Sequence, residues 1–322
     1  MKLPTPYHLT ETKPVTYCHT IQRQHDPLSC SESWGTDILW AMQRPSDTQP
    51  SSPLTISVVL FHSSLDELRA LIESVVSGLE LAQLYNVDFV LVDHSGSDTY
   101  AEQCRAALAA FDDHPRVQLH LRLRPINAGY GAGHNYAISE FPGQFHLILN
   151  PDVEVDEKAI DLLLGAMKAD SNIALLAPLG FNSIGEPEFL AKAYPSVSVL
   201  GLRAFAPRWL KTRYAHAMAR YELRDVADQP IMRPVTLASG CCMFVRRDVF
   251  DRVGGFDESY FLYFEDYDLS LKMAQHGVVM EHRGARIMHH GGHAARNGWR
   301  HRWWFVSGAR RFFNCWGWKW LG

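Results

Sequence analysis

The sequence predicts an α/β protein in which a central, mainly parallel sheet is flanked by helices. Between residues 54 and 149, apolar and β-branched runs typical of buried strands alternate with amphipathic helical segments. Short polar clusters follow these strands, in the loops where parallel sheets bind their ligands. The 322 residues, 47% of them hydrophobic and 20% charged, supply enough apolar material for one large core.

The elements follow in order from these patterns. Residues 54–60 form the first strand, and the capping box from Ser64 to Glu67 opens a helix with a 3.6-residue apolar period. Further strands are predicted at 87–92, 117–121 and 146–149, with helices at 101–111 and 133–141 between them. The second half predicts helices within 195–233, short strands at 235–238 and 241–245, and a helix that ends near Gly277.

Three regions are expected: an irregular N-terminal extension and linker (1–53), a core (54–282), and a C-terminal segment (283–322) with a histidine loop and aromatic, basic helices. No signal-peptide pattern and no run of 18 apolar residues occurs, so the cytoplasm is the expected location. Six cysteines without a CxxC pair favour a reducing compartment. The net charge of −4 gives no indication of a nucleic-acid partner.

Four polar clusters lie at or just past predicted strand ends: residues 62–63, 93–98, 127–135 and 150–154. Asp93 follows a buried strand and could accept hydrogen bonds from a base or a ribose, although an Asx-type loop is an equal alternative. The glycines at 129, 131 and 133 permit close approach of the backbone to a ligand, and the following helix offers its N-terminus to phosphate. A plain glycine-rich turn is the alternative for this cluster.

Asp152 is the candidate metal carboxylate. Mg²⁺ and Mn²⁺ prefer oxygen ligands, and a diphosphate leaving group needs such a cation to neutralise its charge. The alternative interpretation is purely structural, because the sequence from Asn150 to Asp152 is typical of a turn. His289, His290 and His293 resemble a transition-metal site, but no zinc-site spacing of Cys or carboxylates accompanies them. One of these histidines acting beside Asp152 is the more economical hypothesis.

The acidic segment at 264–268 is the candidate for acid–base chemistry. Glu265, Asp266 and Asp268 lie at a predicted helix start among aromatic residues, which would partly desolvate a carboxylate and raise its basicity. Favourable interaction of these charges with the helix dipole is the structural alternative.

At these residues the sequence resembles the family 2 inverting glycosyltransferases of GT-A fold, and among them the rhamnosyltransferase-like members that build bacterial O-antigen and related surface polysaccharides. The likeness covers roughly residues 54–313. It rests on eight motifs in order: the first strand, VDHSGSD (92–98), NAGYGAGHN (127–135), LNPDV (149–153), SGCCM (239–243), GGFDE (254–258), FEDYDL (264–269) and IMHHGG (287–292).

The resemblance implies transfer of a sugar from a pyrimidine nucleotide-sugar to a glycan or lipid-linked glycan, with inversion. dTDP-L-rhamnose is the first expected donor, and UDP-sugars are the next. The resemblance assigns Asp266 as the base and Asp152 with His289 as the ligands of Mg²⁺ or Mn²⁺. It implies donor contacts from Asp93, Asp98, Asn127, Gly129 and Asp152, and a pocket lined by Ser239, Gly240, Glu265 and Asp268.

The sequence departs from the family pattern at three places. His62 stands where the family usually has Asn, and Asn150 occupies the first position of the DxD-like motif. Ala294 and Ala295 replace the serines that usually follow the histidine segment. These departures put one nucleotide contact, one metal charge and one phosphate contact in question.

Two rival functions are considered. A sugar nucleotidyltransferase or pyrophosphorylase would carry a glycine-rich, basic phosphate loop after the first strand, whereas residues 60–64 contain neither glycine nor Lys or Arg. An inactive nucleotide- or carbohydrate-binding module would not need the acidic segment and the metal residues together.

The C-terminal segment is strongly aromatic and basic. Residues 283–322 contain seven Arg, one Lys and no acidic residue, and six of the nine tryptophans fall in the last 24 positions. In a helix over 299–313, Trp299, Trp303, Val306 and Phe313 would share one face. This pattern predicts peripheral contact of residues 299–320 with the inner face of the cytoplasmic membrane, with docking on the protein's own core as the alternative.

Overall fold

The computed structural model describes residues 53–141, 143–224, 231–291 and 298–321. The expected N-terminal extension therefore lies outside the described residues, except for Pro53, and so do Ala294 and Ala295. Among the residues described, none of the helices combines the length and the apolar character needed to cross a bilayer.

Within the described residues, ten strands form a single sheet with the order β3-β2-β1-β4-β9-β6-β10-β5, with β7 on β6 and β8 on β10. The strands are β1 (Leu54–Leu60), β2 (Val87–Asp93), β3 (Val117–Leu123), β4 (Phe145–Leu149), β5 (Val153–Val155), β6 (Ile173–Asn182), β7 (Pro187–Glu188), β8 (Met232–Pro234), β9 (Cys242–Arg246) and β10 (Val278–His289).

Ten α-helices are present in the same parts of the chain, together with a 3₁₀ turn at Ala109–Phe111. The helices are α1 (Leu65–Leu81), α2 (Asp98–Leu108), α3 (Tyr130–Glu140), α4 (Ala159–Ala169), α5 (Val197–Phe205), α6 (Arg208–Arg213), α7 (Ala215–Tyr221), α8 (Arg247–Arg252), α9 (Glu265–Ala274) and α10 (Trp299–Trp316).

The α/β prediction is confirmed, and the first half of the sheet is parallel. β1 pairs in parallel with β2 and β4, and β2 with β3, so the loops after these strands meet at one edge. The second half is mixed: β6 and β10 are parallel, whereas β9 runs antiparallel to β4 and β6, and β5 antiparallel to β10. The antiparallel strand β9 brings the segment before it, residues 239–241, to the same edge.

Amphipathic helices cover this sheet because their apolar faces match its buried surface. In α1, five side chains with the predicted 3.6-residue period are fully buried: Leu68, Leu71, Ile72, Val75 and Leu79. The Ser64 hydroxyl caps α1 by accepting from the N–H of Glu67, as the capping box predicts.

The strand predicted at 235–238 is wrong, because this segment forms only one isolated bridge, between Leu237 and Lys192. Its backbone is bonded elsewhere: the N–H of Ala238 donates to the Ser270 hydroxyl at 3.0 Å. The strand actually formed, β8, precedes the predicted one and pairs with β10.

The C-terminal helix α10 has one buried and one exposed side. Phe312 and Phe313 are buried in an aromatic cluster with Tyr260 and Phe264, whereas Trp299 is 77% and Trp303 64% exposed. Phe313 is therefore not part of the exposed face on which it was predicted. The chain after α10 folds back so that Trp318 stacks on the Phe313 ring, with centroids 5.2 Å apart.

We predict that Gly133→Ala destabilises the protein, because a Cβ there would lie 2.4 Å from Cγ2 of Val59 on β1. Such overpacking should lower the free energy of unfolding by about 1–3 kcal/mol. Gly165→Ala in α4 is the matched control, since a Cβ there meets nothing within 4 Å, and it should stabilise by roughly 0.5–1 kcal/mol. Urea unfolding measures both, and equal shifts for the two variants would contradict the close packing of α3 on β1.

Candidate active site

Two cavities adjoin at the edge where the parallel strands end. The larger, about 770 Å³, is lined by the loops after β1, β2 and β3 together with residues 298–301 and 304, and is called here the strand-end cavity. The smaller, about 530 Å³, lies over α9 and is called the aromatic cavity. His301 of α10 lines both.

Asp93 ends β2, as predicted, but its carboxylate is occupied by local hydrogen bonds. The Ser95 N–H donates to Oδ1 at 2.8 Å and the Ser95 hydroxyl to Oδ2 at 3.0 Å. The next residue, His94, lines the strand-end cavity. Its Nδ1 atom is buried without a hydrogen-bond partner in the described part of the chain. Burial, followed by the charge of Arg124, lowers the pKa of His94. The lowered pKa favours the neutral imidazole of His94 at the cavity, while Asp93 shapes the loop.

Asn127 and Gly129 line the strand-end cavity, as the sequence predicted for donor contacts. Oδ1 of Asn127 accepts from the Gly129 N–H at 3.0 Å, which fixes the loop. Gly129 has a φ of 101°, and a Cβ there would lie 2.5 Å from the carbonyl oxygen of Phe261. Only glycine permits this approach. Asp98, by contrast, is an exposed residue in the first turn of α2 and lines neither cavity.

Asp152 and His289 are brought together, although they are 137 residues apart in sequence. Asp152 lies between β4 and β5, and β5 pairs with β10 so that Val153 stands opposite His289. Oδ1 of Asp152 is 3.5 Å from Nε2 of His289 and is buried without a hydrogen-bond partner among the residues described. Neither residue lines either of the two cavities.

A third residue, Glu188, orients His289. Its Oε2 atom lies 2.7 Å from Nδ1 of His289. Burial lowers the pKa of His289, but the Glu188 hydrogen bond and the Asp152 charge outweigh it and raise the pKa overall. The neighbouring His290 instead faces Glu154, with 2.6 Å between Nε2 and Oε1. Glu188 lies on a two-residue strand with no motif around it, so the sequence offered no signal for its contact.

The donor set fits a divalent cation held jointly with a diphosphate. Asp152 offers an unpartnered carboxylate oxygen, and a His289 that donates from Nδ1 to Glu188 leaves its Nε2 lone pair free for a metal. Among the residues described, no three His, Cys, Asp or Glu side chains converge as a complete metal site. An incomplete set of protein ligands is usual for Mg²⁺, because the phosphates of the substrate often complete a site that has only one or two protein ligands.

Asp266 sits at the start of α9, facing the aromatic cavity. Its Oδ2 accepts from the Gly240 N–H and its Oδ1 from the Tyr267 N–H, each at 2.9 Å. The Gly240 carbonyl in turn accepts from the Tyr130 hydroxyl at 2.6 Å. Gly240, predicted as a pocket residue, therefore holds the candidate base in place. Ser239, the residue before it, donates its N–H to the Leu190 carbonyl at 3.0 Å.

The two adjacent carboxyl groups are electrostatically different. Burial raises the pKa of Asp266 to about 6, although the hydrogen bonds from Gly240 and Tyr267 oppose the shift. Burial and the charge of Asp266 raise the pKa of Glu265 well above its usual range. Oε2 of Glu265 is buried without a partner in the described residues. Of the two, Asp266 is thus the carboxyl group that ionises more readily.

The backbone before α9 is strained. Tyr263 and Phe264 have φ values of 74° and 71°, in the left-handed region, which costs on the order of 1–3 kcal/mol for each non-glycine residue. Helix α10 holds this turn. A Cβ on Gly308 would lie 2.9 Å from the Tyr263 carbonyl oxygen, and the Phe264 ring packs on Phe305 and Phe312.

Asp268, the other predicted pocket acid, lines neither cavity. It is buried, accepts from the indole N–H of Trp316 at 2.8 Å, and forms an ion pair with Lys272 at 3.4 Å. These contacts tie α9 to the end of α10.

Known proteins are similar to this chain in sequence and in fold. The model of glycosyl transferase family 2 matches residues 56–254. The chain is 30% identical to the N-acetylglucosaminyl-diphospho-decaprenol L-rhamnosyltransferase of Mycobacterium tuberculosis, over 69% of this chain and 73% of that one. It is 24% identical to the low-salt glycan biosynthesis hexosyltransferase Agl10 of Haloferax volcanii, over 66% of this chain and 64% of that one.

A solved structure of GalNAc-T7 with UDP, GalNAc and Mn²⁺ superposes with a TM-score of 0.54 at 15% identity. The match covers 75% of this chain and 43% of that one. At this identity it bears on the fold alone, and it confirms the expected GT-A architecture. The family match and the rhamnosyltransferase likeness confirm the expected family, and the chain belongs to glycosyl transferase family 2.

Proposed function

We propose that this glycosyltransferase moves L-rhamnose from dTDP-L-rhamnose to a hydroxyl of a lipid-linked glycan, with inversion. The observation that carries the proposal is the position of Asp266, whose carboxyl group faces an aromatic cavity that adjoins the strand-end cavity. The named activity of the Mycobacterium tuberculosis relative supports rhamnose and a diphospholipid acceptor. UDP-sugars are the next candidate donors.

The proposed reaction is one displacement. Asp266 accepts the proton of the acceptor hydroxyl while that oxygen bonds to the anomeric carbon and the bond to the nucleoside diphosphate breaks. The hydrogen bonds from Gly240 and Tyr267 orient the carboxylate, and the aromatic walls keep water from competing for the anomeric carbon. Asp152 and His289 would hold Mg²⁺ or Mn²⁺, which would neutralise charge on the departing diphosphate.

Donor binding is proposed for the strand-end cavity. His94, Asn127 and Gly129 line it, and Asp93 supports the loop from behind. Asp98 remains a proposed donor contact only on the condition that donor binding brings it closer to the strand-end cavity. The family match over residues 56–254 supports a glycosyltransferase over the two rival functions.

We predict that Asp266→Asn lowers the transfer rate by about 10²–10⁴-fold, the usual loss for a general base. Nucleoside diphosphate binding should change little, because Asn has a similar volume and can still accept from the Gly240 N–H. Initial rates and calorimetry measure the two quantities. Asp248→Asn, at an exposed carboxylate on α8, is the matched control. If Asp266→Asn retained more than half of the wild-type turnover, another residue would be the base.

The pH dependence gives an independent check. Since Asp266 acts ionised and its pKa is raised to about 6, transfer should be full above pH 7 and decline as the pH falls through 6. The residual activity of Asp266→Asn should lack this acidic limb. If the activity of the variant still declined as the pH falls through 6, the decline would result from the titration of another group.

The metal proposal predicts different roles for two adjacent histidines. His289→Ala should weaken Mn²⁺ binding in the presence of nucleoside diphosphate, and Glu188→Gln should do so by about 10–100-fold, as for other residues that orient metal ligands. His290→Ala and Glu154→Gln, which alter the neighbouring pair, are the matched controls. Calorimetry measures the affinities. Equal losses in both pairs, or tight Mn²⁺ binding without nucleotide, would contradict the arrangement.

We further propose that the exposed side of α10 contacts the inner face of the cytoplasmic membrane. Trp299, Trp303 and Val306 are exposed on it, and no acidic residue interrupts the basic segment. Aromatic rings and cations on one helix suit the headgroup region of anionic lipid. Docking on the protein's own core, the alternative that the sequence left open, describes the opposite, buried side of α10.

The corresponding prediction is that the protein cosediments with anionic vesicles and less with neutral ones. Trp299→Ala combined with Trp303→Ala should reduce this binding without lowering the melting temperature, because both rings are exposed. Ile184→Ala, at an exposed apolar residue between β6 and β7, is the control. Equal binding by the wild type and the double variant would leave α10 with its core-docking role alone.

A further inference from the structure

The aromatic cavity carries positive charge as well as carboxyl groups. A general base does not need this positive charge to remove a proton from a hydroxyl. The floor of the cavity carries the two carboxyl groups of Glu265 and Asp266, and aromatic side chains form its walls. Arg203 of α5 and Arg302 of α10 line it from two different helices, together with His301. A sugar hydroxyl alone would need the carboxylate and a wall to stack on, whereas two guanidinium groups recognise an anion.

Arg203 is held at this cavity by a hydrogen bond with the Tyr221 side chain and by an ion pair. Its Nε lies 3.9 Å from Oε1 of Glu222, a long ion pair. Glu222 also bonds to Arg224 through its other oxygen, so one carboxylate serves two guanidinium groups. The positive charge of Arg203 also contributes to lowering the pKa of Asp266 against the effect of burial. Arg203 is therefore close enough to the base to act in the same site.

Arg302 approaches from the other side. It lies in the first turns of α10, next to the exposed Trp303, and its side chain is exposed at the cavity. Arg302, which lines the cavity, is thus a neighbour on α10 of the residues that are proposed to face a lipid surface.

We propose that Arg203 and Arg302 bind the phosphate that links the acceptor sugar to its carrier. The inference rests on the proposed function and specifies its acceptor: a sugar phosphate ester or diphosphate ester. The sugar ring lies against the aromatic walls with a hydroxyl at Asp266, and the phosphate oxygens accept from the two guanidinium groups. The donor's own diphosphate is proposed to lie elsewhere, with Asp152 and His289.

The test compares two soluble acceptors that differ only in the phosphate: a sugar 1-diphosphate with a short alkyl chain, and the uncharged alkyl glycoside of the same sugar. Arg203→Gln and Arg302→Gln should each raise the KM for the diphosphate acceptor roughly 10–100-fold, the loss expected for hydrogen bonds to a charged group. The KM for the glycoside and for the donor should stay within about twofold, since neither is proposed to use these arginines. No vesicles are present, so lipid headgroups contribute nothing.

Arg208→Gln is the matched control, at an exposed arginine on α6 that lines neither cavity. Equal KM increases for both acceptors, a raised donor KM, or no change in either variant would each overturn the inference. Fluorescence titration of the wild type and variants with the diphosphate acceptor, without donor, separates this from the proposed function. Arginine-dependent binding without any sugar transfer would contradict the proposed reaction and support the phosphate site.

Discussion

The packing of α10 on the left-handed turn at Tyr263 and Phe264 is the constraint on which the site depends. This turn costs free energy that its own residues cannot recover, because neither is a glycine. Phe305 and Phe312 surround the Phe264 ring, and Gly308 allows the helix backbone to approach the Tyr263 carbonyl. Asp266 comes two residues after the turn, so this packing helps to fix where the start of α9 lies.

A second set of contacts joins α9 to the sheet. The Gly240 N–H donates to Asp266 and the Gly240 carbonyl accepts from Tyr130, so one glycine connects α9 with the start of α3. α3 follows the loop that lines the strand-end cavity, whose Gly129 lies against Phe261. The two cavities therefore share their supports, and a disturbance of either loop should be felt in both. This coupling suits a reaction in which donor and acceptor must be aligned before any bond forms.

Polar side chains with similar sequence surroundings have different roles here. Asp93 accepts from Ser95 and shapes its loop, whereas Asp268 accepts from Trp316 and pairs with Lys272, which ties α9 to α10. Asp152, Glu265 and Asp268 each have an oxygen buried without a hydrogen-bond partner in the described residues, and of these the Asp268 oxygen faces the Lys272 cation. Buried groups left without a partner carry a free-energy cost, and such costs are characteristic of functional sites.

The sequence by itself determined the alternation of strands and helices, the strand end at Asp93, the turn at Asp152, the amphipathic character of α10 and the family. Each of these depends on local periodicity, on local turn chemistry or on ordered motifs, all of which are written along the chain. Tertiary structure alone decided that His94 rather than Asp93 lines the strand-end cavity, that Glu188 orients His289, and that Arg203 and Arg302 share a cavity. These contacts join residues from different elements through strand pairing and helix packing, and no local pattern encodes such distances.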